Sequence, residues 1–414
     1  MIKIKNNITE FLILILVFFL LFYSSNAVLY PDAQRYLDGS FSQAPLYTFI
    51  IQIMISTFKT LNSIVILQTI IMGFGIIFFT NVVSIYFHLD ILKKLIVSLF
   101  LFLPIIEFYN KILTEPISFA FSLFFMSFII KLIYNFNTRN LFWSGIFVIL
   151  LLMTRTQFFF MYPVILLIYL GLFMINTSKK NFIILVVSFM SIFIIHNSLM
   201  ILNKHFNSTT NTSKNVITSK RGIFHFIFID SMYISSSKDA ELFKNGKLKK
   251  TFTEIFTKIN DQKATIKYYD GRGHHGLSFA VIRDIAKNSD SLKNLKKQDN
   301  DLFMNIKKEI SIKLISANFF EYLRLIFKKF YDSTWLFVFV PFFILLAAII
   351  EFYKNRSNLT LFLISLSSFA IANHSVVYLF GRVQPRYLIY SDFMLLIFIF
   401  IIISNFLQKK RRGF

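Results

Sequence analysis

The sequence predicts an all-α polytopic membrane protein with about ten transmembrane helices, interfacial helices in the first outer loop and a mostly helical extracytoplasmic domain. Three observations carry this. Hydrophobic residues fill 56% of the 414 positions and the mean hydropathy is +0.63, more than a soluble domain of this length needs for its core. Ten apolar stretches are each long enough to cross a hydrocarbon layer of about 30 Å at about 1.5 Å per residue. The Lys and Arg residues in the short connections between them fall consistently on one side.

The amino terminus, MIKIKNNITE followed by FLILILVFFLLFY, has the charge and the apolar run of a signal peptide but no small-residue cleavage site. With many spans behind it, it is expected as an uncleaved first helix over residues 9 to 25. Further spans are expected at 63 to 87, 92 to 108, 116 to 134, 141 to 157, 158 to 175, 182 to 202, 334 to 353, 359 to 380 and 387 to 407. The segment 45 to 58, PLYTFIIQIMISTF, is too short to span comfortably, and its placement sets the orientation of everything after it. Laid on the outer interface, it puts Lys3/Lys5, Lys93/Lys94, Arg139, Lys179/Lys180, Lys354/Arg356 and the Lys409 to Arg412 run on the cytoplasmic side. If it crossed, the loops after it would invert and conflict with the basic carboxyl terminus.

Three regions result: a seven-helix transmembrane module (1–202), an extracytoplasmic helical domain (203–333) and a three-helix transmembrane module (334–414). The middle region mixes Lys, Asp, Asn and Ser with spaced apolar residues, as in ELFKNGKLKKTFTEIFTKI; FFEYLRLIFKKF is expected on the membrane surface. No internal repeat is visible.

Absent cysteine excludes disulfides, thiolate catalysis and cysteine metal sites. The formal charge of +23 would point to nucleic acid in a soluble protein, but much of it lies in loops where it sets topology, so no nucleic-acid partner is expected. Membrane lipids are the more natural partner.

On this topology the loop at 24 to 62, the turn at 109 to 115, the junction at 155 to 162 and the turn at 381 to 387 meet at the outer face. The first loop reads YPDAQRYLDGSFSQAPLYTFI, with Asp32 and Asp38 as its acids. A carboxylate at the membrane edge can take a proton from an acceptor hydroxyl; equally, Pro31-Asp32 can simply start a turn or cap a helix. Glu115 in KILTEPISFAF precedes Pro116 at a helix start, which suits both the helix dipole and a second catalytic carboxylate or metal ligand.

Arg155 in LLMTRTQFFFMYP lies on the side opposite to where cations are retained, so it needs a partner: an anionic phosphate or a structural acid such as Glu115. Arg382 and Arg386 in GRVQPRYLIY raise the same question, and three outward arginines suggest an anion site. The histidines form no metal pattern. GRGHHG, residues 271 to 276, lacks the lysine and hydroxyl of a phosphate loop and is expected to be a flexible loop over a substrate.

These residues resemble the polytopic GT-C glycosyltransferases that use polyprenyl-phosphate sugars, aminoarabinose transferases and protein mannosyltransferases among them. Asp32, Tyr36, Gly39 and Pro45-Leu46-Tyr47 resemble that family's first outer loop, Glu115 its second-loop acid, and Arg386-Tyr387 the Arg-Tyr pair before a late helix. The resemblance implies Asp32 as catalytic base and Glu115 as a second catalytic acid that orients the acceptor or a divalent metal ion. It implies phosphate binding by Arg155, Arg382 and Arg386, and substrate contacts from Tyr36, Asp38, Tyr47 and Tyr387. The implied partners are a polyprenyl-phosphate sugar donor and a glycan, lipid or protein acceptor, met at the outer face of an inner or plasma membrane. The region 203 to 333 has no counterpart in that resemblance. An O-antigen polymerase or ligase, with Arg272 or Arg283 essential, and a lipid-linked glycan flippase are the alternatives; the flippase expects mid-membrane charges and a repeated half.

Overall fold

The computed structural model describes residues 8–23, 26–29, 33–37, 45–175, 178–210, 223–268, 274–293, 300–380 and 387–412. Helix dominates, because long apolar runs satisfy their backbone groups most cheaply within one segment, with Pro104 and Pro341 carried inside their helices. In chain order the helices are α1 (Ile8–Tyr23), α2 (Ala33–Leu37), α3 (Pro45–Phe58), α4 (Asn62–Tyr86), α5 (Ile91–Phe108), α6 (Glu115–Tyr134), α7 (Thr138–Thr154), α8 (Met161–Ile175) and α9 (Lys179–Thr210). They continue with α10 (Ile223–Ile234), α11 (Gly246–Asp261), α12 (His274–Asn288), α13 (Asn300–Ala317), α14 (Phe319–Asn355), α15 (Asn358–Phe380) and α16 (Ile389–Arg412). Short 3-10 turns occupy Thr156–Phe160 and Ser237–Leu242. Among the described residues the only strand-like pairing is an isolated parallel bridge between Val28 and Lys111.

Among the described residues, each of the ten expected apolar stretches overlaps a helix. Among the described residues, five segments are long and apolar enough to cross a membrane: Asn62–Tyr86, Glu115–Tyr134, Thr156–Ile175, Lys179–Asn203 and Asn358–Leu379. The described parts of three others fall short of this measure. Helices α1 and α7 have 16 and 17 residues, and α5 carries Lys93, Lys94 and Glu107 within 18. FFEYLRLIFKKF is not a separate element: it opens α14, a continuous helix of 37 residues, because its change in charge brings no helix breaker.

The chain divides into two compact units. The first comprises Met1–Val216, Val340–Asn373 and Arg386–Phe414; the second Ile217–Phe339 and His374–Pro385. In the first, α6 is enclosed nearly all round, with α4 and α7 against it. Gly75 permits the α4–α6 approach: a Cβ there would lie 3.2 Å from the Ala120 Cα. Hydroxyls inside this apolar packing return to their own helix, as Ser122 does to the Ser118 carbonyl (2.9 Å) and Ser127 to that of Leu123 (2.7 Å). Asp90 and Asn137 cap α5 and α7 by accepting from the amides of Lys93 and Asn140.

The second unit has its own core. Phe228, Met232 and Tyr233 of α10 meet Leu248, Phe252, Ile255 and Ile259 of α11, with Ile282 of α12 and Ile306, Ile310 and Leu314 of α13. The spacing of the α11 residues is that of one helix face.

Candidate functional site

Helix α7 stops at Thr154, whose hydroxyl turns back to the Leu151 carbonyl (2.7 Å) and accepts from Ser118 (3.1 Å). Arg155 then takes an extended backbone before the 3-10 turn begins. This break lies beside the start of α6, where Glu115 sits in the first turn, followed by Pro116. The Arg155 Nη1 and Glu115 Oε1 form an ion pair at 2.9 Å; the carboxylate is 2% exposed and the guanidinium side chain 17%. Thr114 donates to the other carboxylate oxygen at 3.3 Å.

Two tyrosines at the start of α16 complete the surroundings of the guanidinium. Arg155 Nη1 donates to the Tyr390 hydroxyl at 3.1 Å, and its Cζ lies 4.5 Å above the Tyr387 ring. That segment is held by amides. Gln157 donates to the Asn373 side-chain oxygen (2.6 Å) and the Tyr387 carbonyl (3.1 Å), while Asn373 donates to that same carbonyl (3.1 Å) and to Ser391 (3.0 Å).

Described residues of the segment between α1 and α3 reach the same place. Val28 donates to the Asn110 carbonyl (2.8 Å) and accepts from Ile112 (3.1 Å), three residues before Glu115. Gln68 pins that turn from within α4, donating to the carbonyls of Tyr109 (2.6 Å) and Lys111 (2.9 Å) while accepting from the buried Tyr47 hydroxyl (3.3 Å). Tyr36 packs edge-on against Tyr47, ring centroids 5.0 Å apart. Gln52 fixes its backbone by donating to the carbonyls of Tyr36 and Leu37. Tyr36 is within electrostatic reach of both Tyr47 and Arg155.

Tyr36, Tyr47, Glu115, Arg155 and Tyr387 are thus brought together. Asp32, Asp38, Arg382 and Arg386 lie outside the described residues, as does Arg272. The sequence reading passed over Gln68, Gln157, Asn373 and Tyr390. The signal for three of them was present: an amide inside an apolar run, as in VILQTIIM or AIANHSVVY, needs a buried partner.

Among the described residues Arg155 Nε and Nη2 make no hydrogen bond. Part of the guanidinium fork therefore remains for an anion, while Glu115 fixes its other edge. A divalent metal ion fits this position poorly, because Glu115 already carries the Arg155 guanidinium at contact distance. No group of three His, Cys, Asp or Glu suited to a metal occurs among the described residues.

The second unit buries another ionisable cluster. Lys329 Nζ of α14 donates to Asp230 Oδ2 at 2.5 Å and to the Tyr378 carbonyl at 3.4 Å, and His275 Nε2 meets Asp230 Oδ1 at 2.8 Å. Burial alone would raise the Asp230 carboxyl, but the Lys329 ammonium and the His275 bond hold it below the usual range. Burial lowers the His275 imidazole, so it is neutral near pH 7 and donates from Nε2. Of the expected flexible loop, residues 271 to 273 lie outside the described residues; His274, His275 and Gly276 instead form the first turn of α12, with His275 tied down by Asp230.

Comparison with known proteins finds no family model, no characterised sequence relative and no solved structure that the chain matches.

Proposed function

We propose that the chain is an integral membrane glycosyltransferase, with ten spans, that moves a sugar from a polyprenyl-phosphate donor to an acceptor hydroxyl at the extracytoplasmic face. The observation that carries this reading is the Glu115–Arg155 pair, ringed by Tyr36, Tyr47, Tyr387 and Tyr390, at the ends of apolar helices. A partly committed guanidinium at such a position suits a lipid-linked phosphate, whose apolar tail follows the helices and whose headgroup stays at their ends.

In the proposed reaction the acceptor oxygen attacks the anomeric carbon as the bond from that carbon to the phosphate oxygen breaks. The hydroxyl proton passes to Asp32, and polyprenyl phosphate departs with the bonding electron pair. Attack opposite the leaving group inverts the anomeric centre. Arg155, joined by Arg386, meets the charge that develops on the phosphate. Glu115 keeps Arg155 oriented, and the aromatic rings line the sugar's approach.

The test is transfer of radiolabelled sugar from polyprenyl-phosphate donors in membranes carrying wild type, Asp32→Asn or Arg155→Ala at matched protein levels. Transfer by wild type that both substitutions abolish supports the reading. Full transfer in Asp32→Asn removes that residue as base, and absence of transfer from every donor by wild type overturns the reading.

A further inference from the structure

The second unit is strongly basic: residues 217 to 339 and 374 to 385 hold 23 Lys and Arg against 13 Asp and Glu. The surplus is concentrated at one place. Lys244, Lys247, Lys249 and Lys250 fall within the run KNGKLKK, all four exposed, and none forms an ion pair among the described residues. Three of them lie within the first five residues of α11, whose first turn holds no acid. Stability alone would place them elsewhere, since the positive end of the helix dipole repels cations.

The nearby acids do not offset them. Asp239 is spent on the amide of Ser236 (2.7 Å). Glu254 accepts from the amides of Asp290 (2.7 Å) and Ser291 (3.1 Å) and from the Ser291 hydroxyl (2.5 Å). Glu241 is exposed and pairs with none of the four among the described residues.

The outward face of α11 is unsuited to entering a bilayer. Its apolar residues, Leu248, Phe252, Ile255 and Ile259, are consumed by the core, leaving Thr253, Thr257 and the lysines outside. About 12 Å further along the helix, at about 1.5 Å per residue, Lys258 borders a groove of about 410 Å³ between α11 and α12. Gln262, Asp284 and Asn288 supply hydrogen-bonding groups there, over a floor of Ala280 and Val281.

We propose that this face of α11 binds an acidic polysaccharide. The ammonium groups of Lys244, Lys247, Lys249 and Lys250 meet the anionic substituents of successive sugars, and the groove holds uncharged hydroxyls through Gln262 and Asn288. Lysines suit such a partner because they act as mobile point charges and impose no fixed geometry on a flexible polyanion. Taken with the proposed transfer reaction, on which this one step rests, the bound polymer is the acceptor class.

The test measures binding of the full chain, in phosphatidylcholine nanodiscs without any sugar donor, to immobilised heparin, polygalacturonate and neutral dextran at 50 and 300 mM NaCl. Wild type is expected to bind both acidic polymers, more weakly at high salt, and not dextran. Replacing Lys244, Lys247, Lys249 and Lys250 by Glu is expected to weaken binding at least about tenfold. The same charge change at Lys267, Lys287, Lys293 and Lys308 is expected to leave it within about twofold. Circular dichroism and melting checks that both variants are folded.

No binding by wild type, equal loss in the two variants, or tighter association with phosphatidylglycerol vesicles than with the polymers overturns the proposal. Binding without any transfer activity leaves this inference standing and removes only the transferase reading; transfer without polymer binding does the reverse.

Discussion

Arg155 at the end of α7 and Glu115 at the start of α6 form an ion pair at 2.9 Å that joins a helix stop to a helix start across 40 residues of sequence. Each is placed by a local event: the extended backbone after Thr154 for one, Pro116 for the other. Because the carboxylate is almost fully enclosed, losing one partner is more damaging than losing both.

Glu115→Gln and Arg155→Met are each expected to destabilise the protein by about 3–5 kcal/mol, and the double substitution by less than the sum of the two. Thermal unfolding of the purified protein in detergent gives the cycle. Additive losses would show that the pair contributes no coupling.

Arg155→Lys keeps the charge but not the fork. If the guanidinium holds the departing phosphate, sugar transfer falls by about 10²–10³ in kcat, the size of losing one preorganised donor, with folding retained. An unchanged kcat removes Arg155 from phosphate stabilisation.

Gln68→Leu leaves the carbonyls of Tyr109 and Lys111 without their donor inside apolar packing. A cost of about 1–3 kcal/mol per unpaired group is expected. Hydrogen exchange over residues 109 to 113 should accelerate relative to α6, and the melting temperature should fall. Unchanged exchange at that turn contradicts the anchoring role.

The second unit should lose stability in two acid steps. His275 is lowered from 6.5 by burial, so below about pH 6.5 the unfolded chain takes a proton that the folded one resists, and stability falls until the folded value is passed. Asp230 is held below 3.8 by Lys329 and His275, so its contribution is complete above that value and is lost as pH falls through the folded one. Exchange protection of α10 and α12 measured from pH 8 to 3 reports both steps. His275→Gln should abolish the upper step and shrink the lower one, since His275 is one of the two partners that hold Asp230 down, and a single step in wild type contradicts the assignment.

Much of this organisation was legible in the sequence because bilayer-length apolar runs and amphipathic periods are local signals. Asn62–Tyr86, Glu115–Tyr134 and the buried face of α11 follow directly from them. Pairings across long separations were harder to see. Arg155 out of place beside Thr154 announced the need for a partner, and Glu115 was one of two candidates, but nothing local named Tyr390, 235 residues away. Likewise GRGHHG looked like a mobile glycine loop because the acid that fixes His275 comes from another helix, 45 residues earlier. The extent of α14 was missed for the opposite reason: a change in polarity looked like a boundary although no Gly or Pro marked one before Pro341.

Among the described residues, the isolated bridge between Val28 and Lys111 ties the segment after α1 to the turn before α6. Two hydrogen bonds, with no sheet to share the strain, connect Val28 to the turn that ends three residues before Glu115. Both bonds join backbone to backbone, so the fastening does not depend on which side chains the segment carries. Cutting the connection with Ile112→Pro, which removes one of its two donors, would let the loop move while the ion pair stands still.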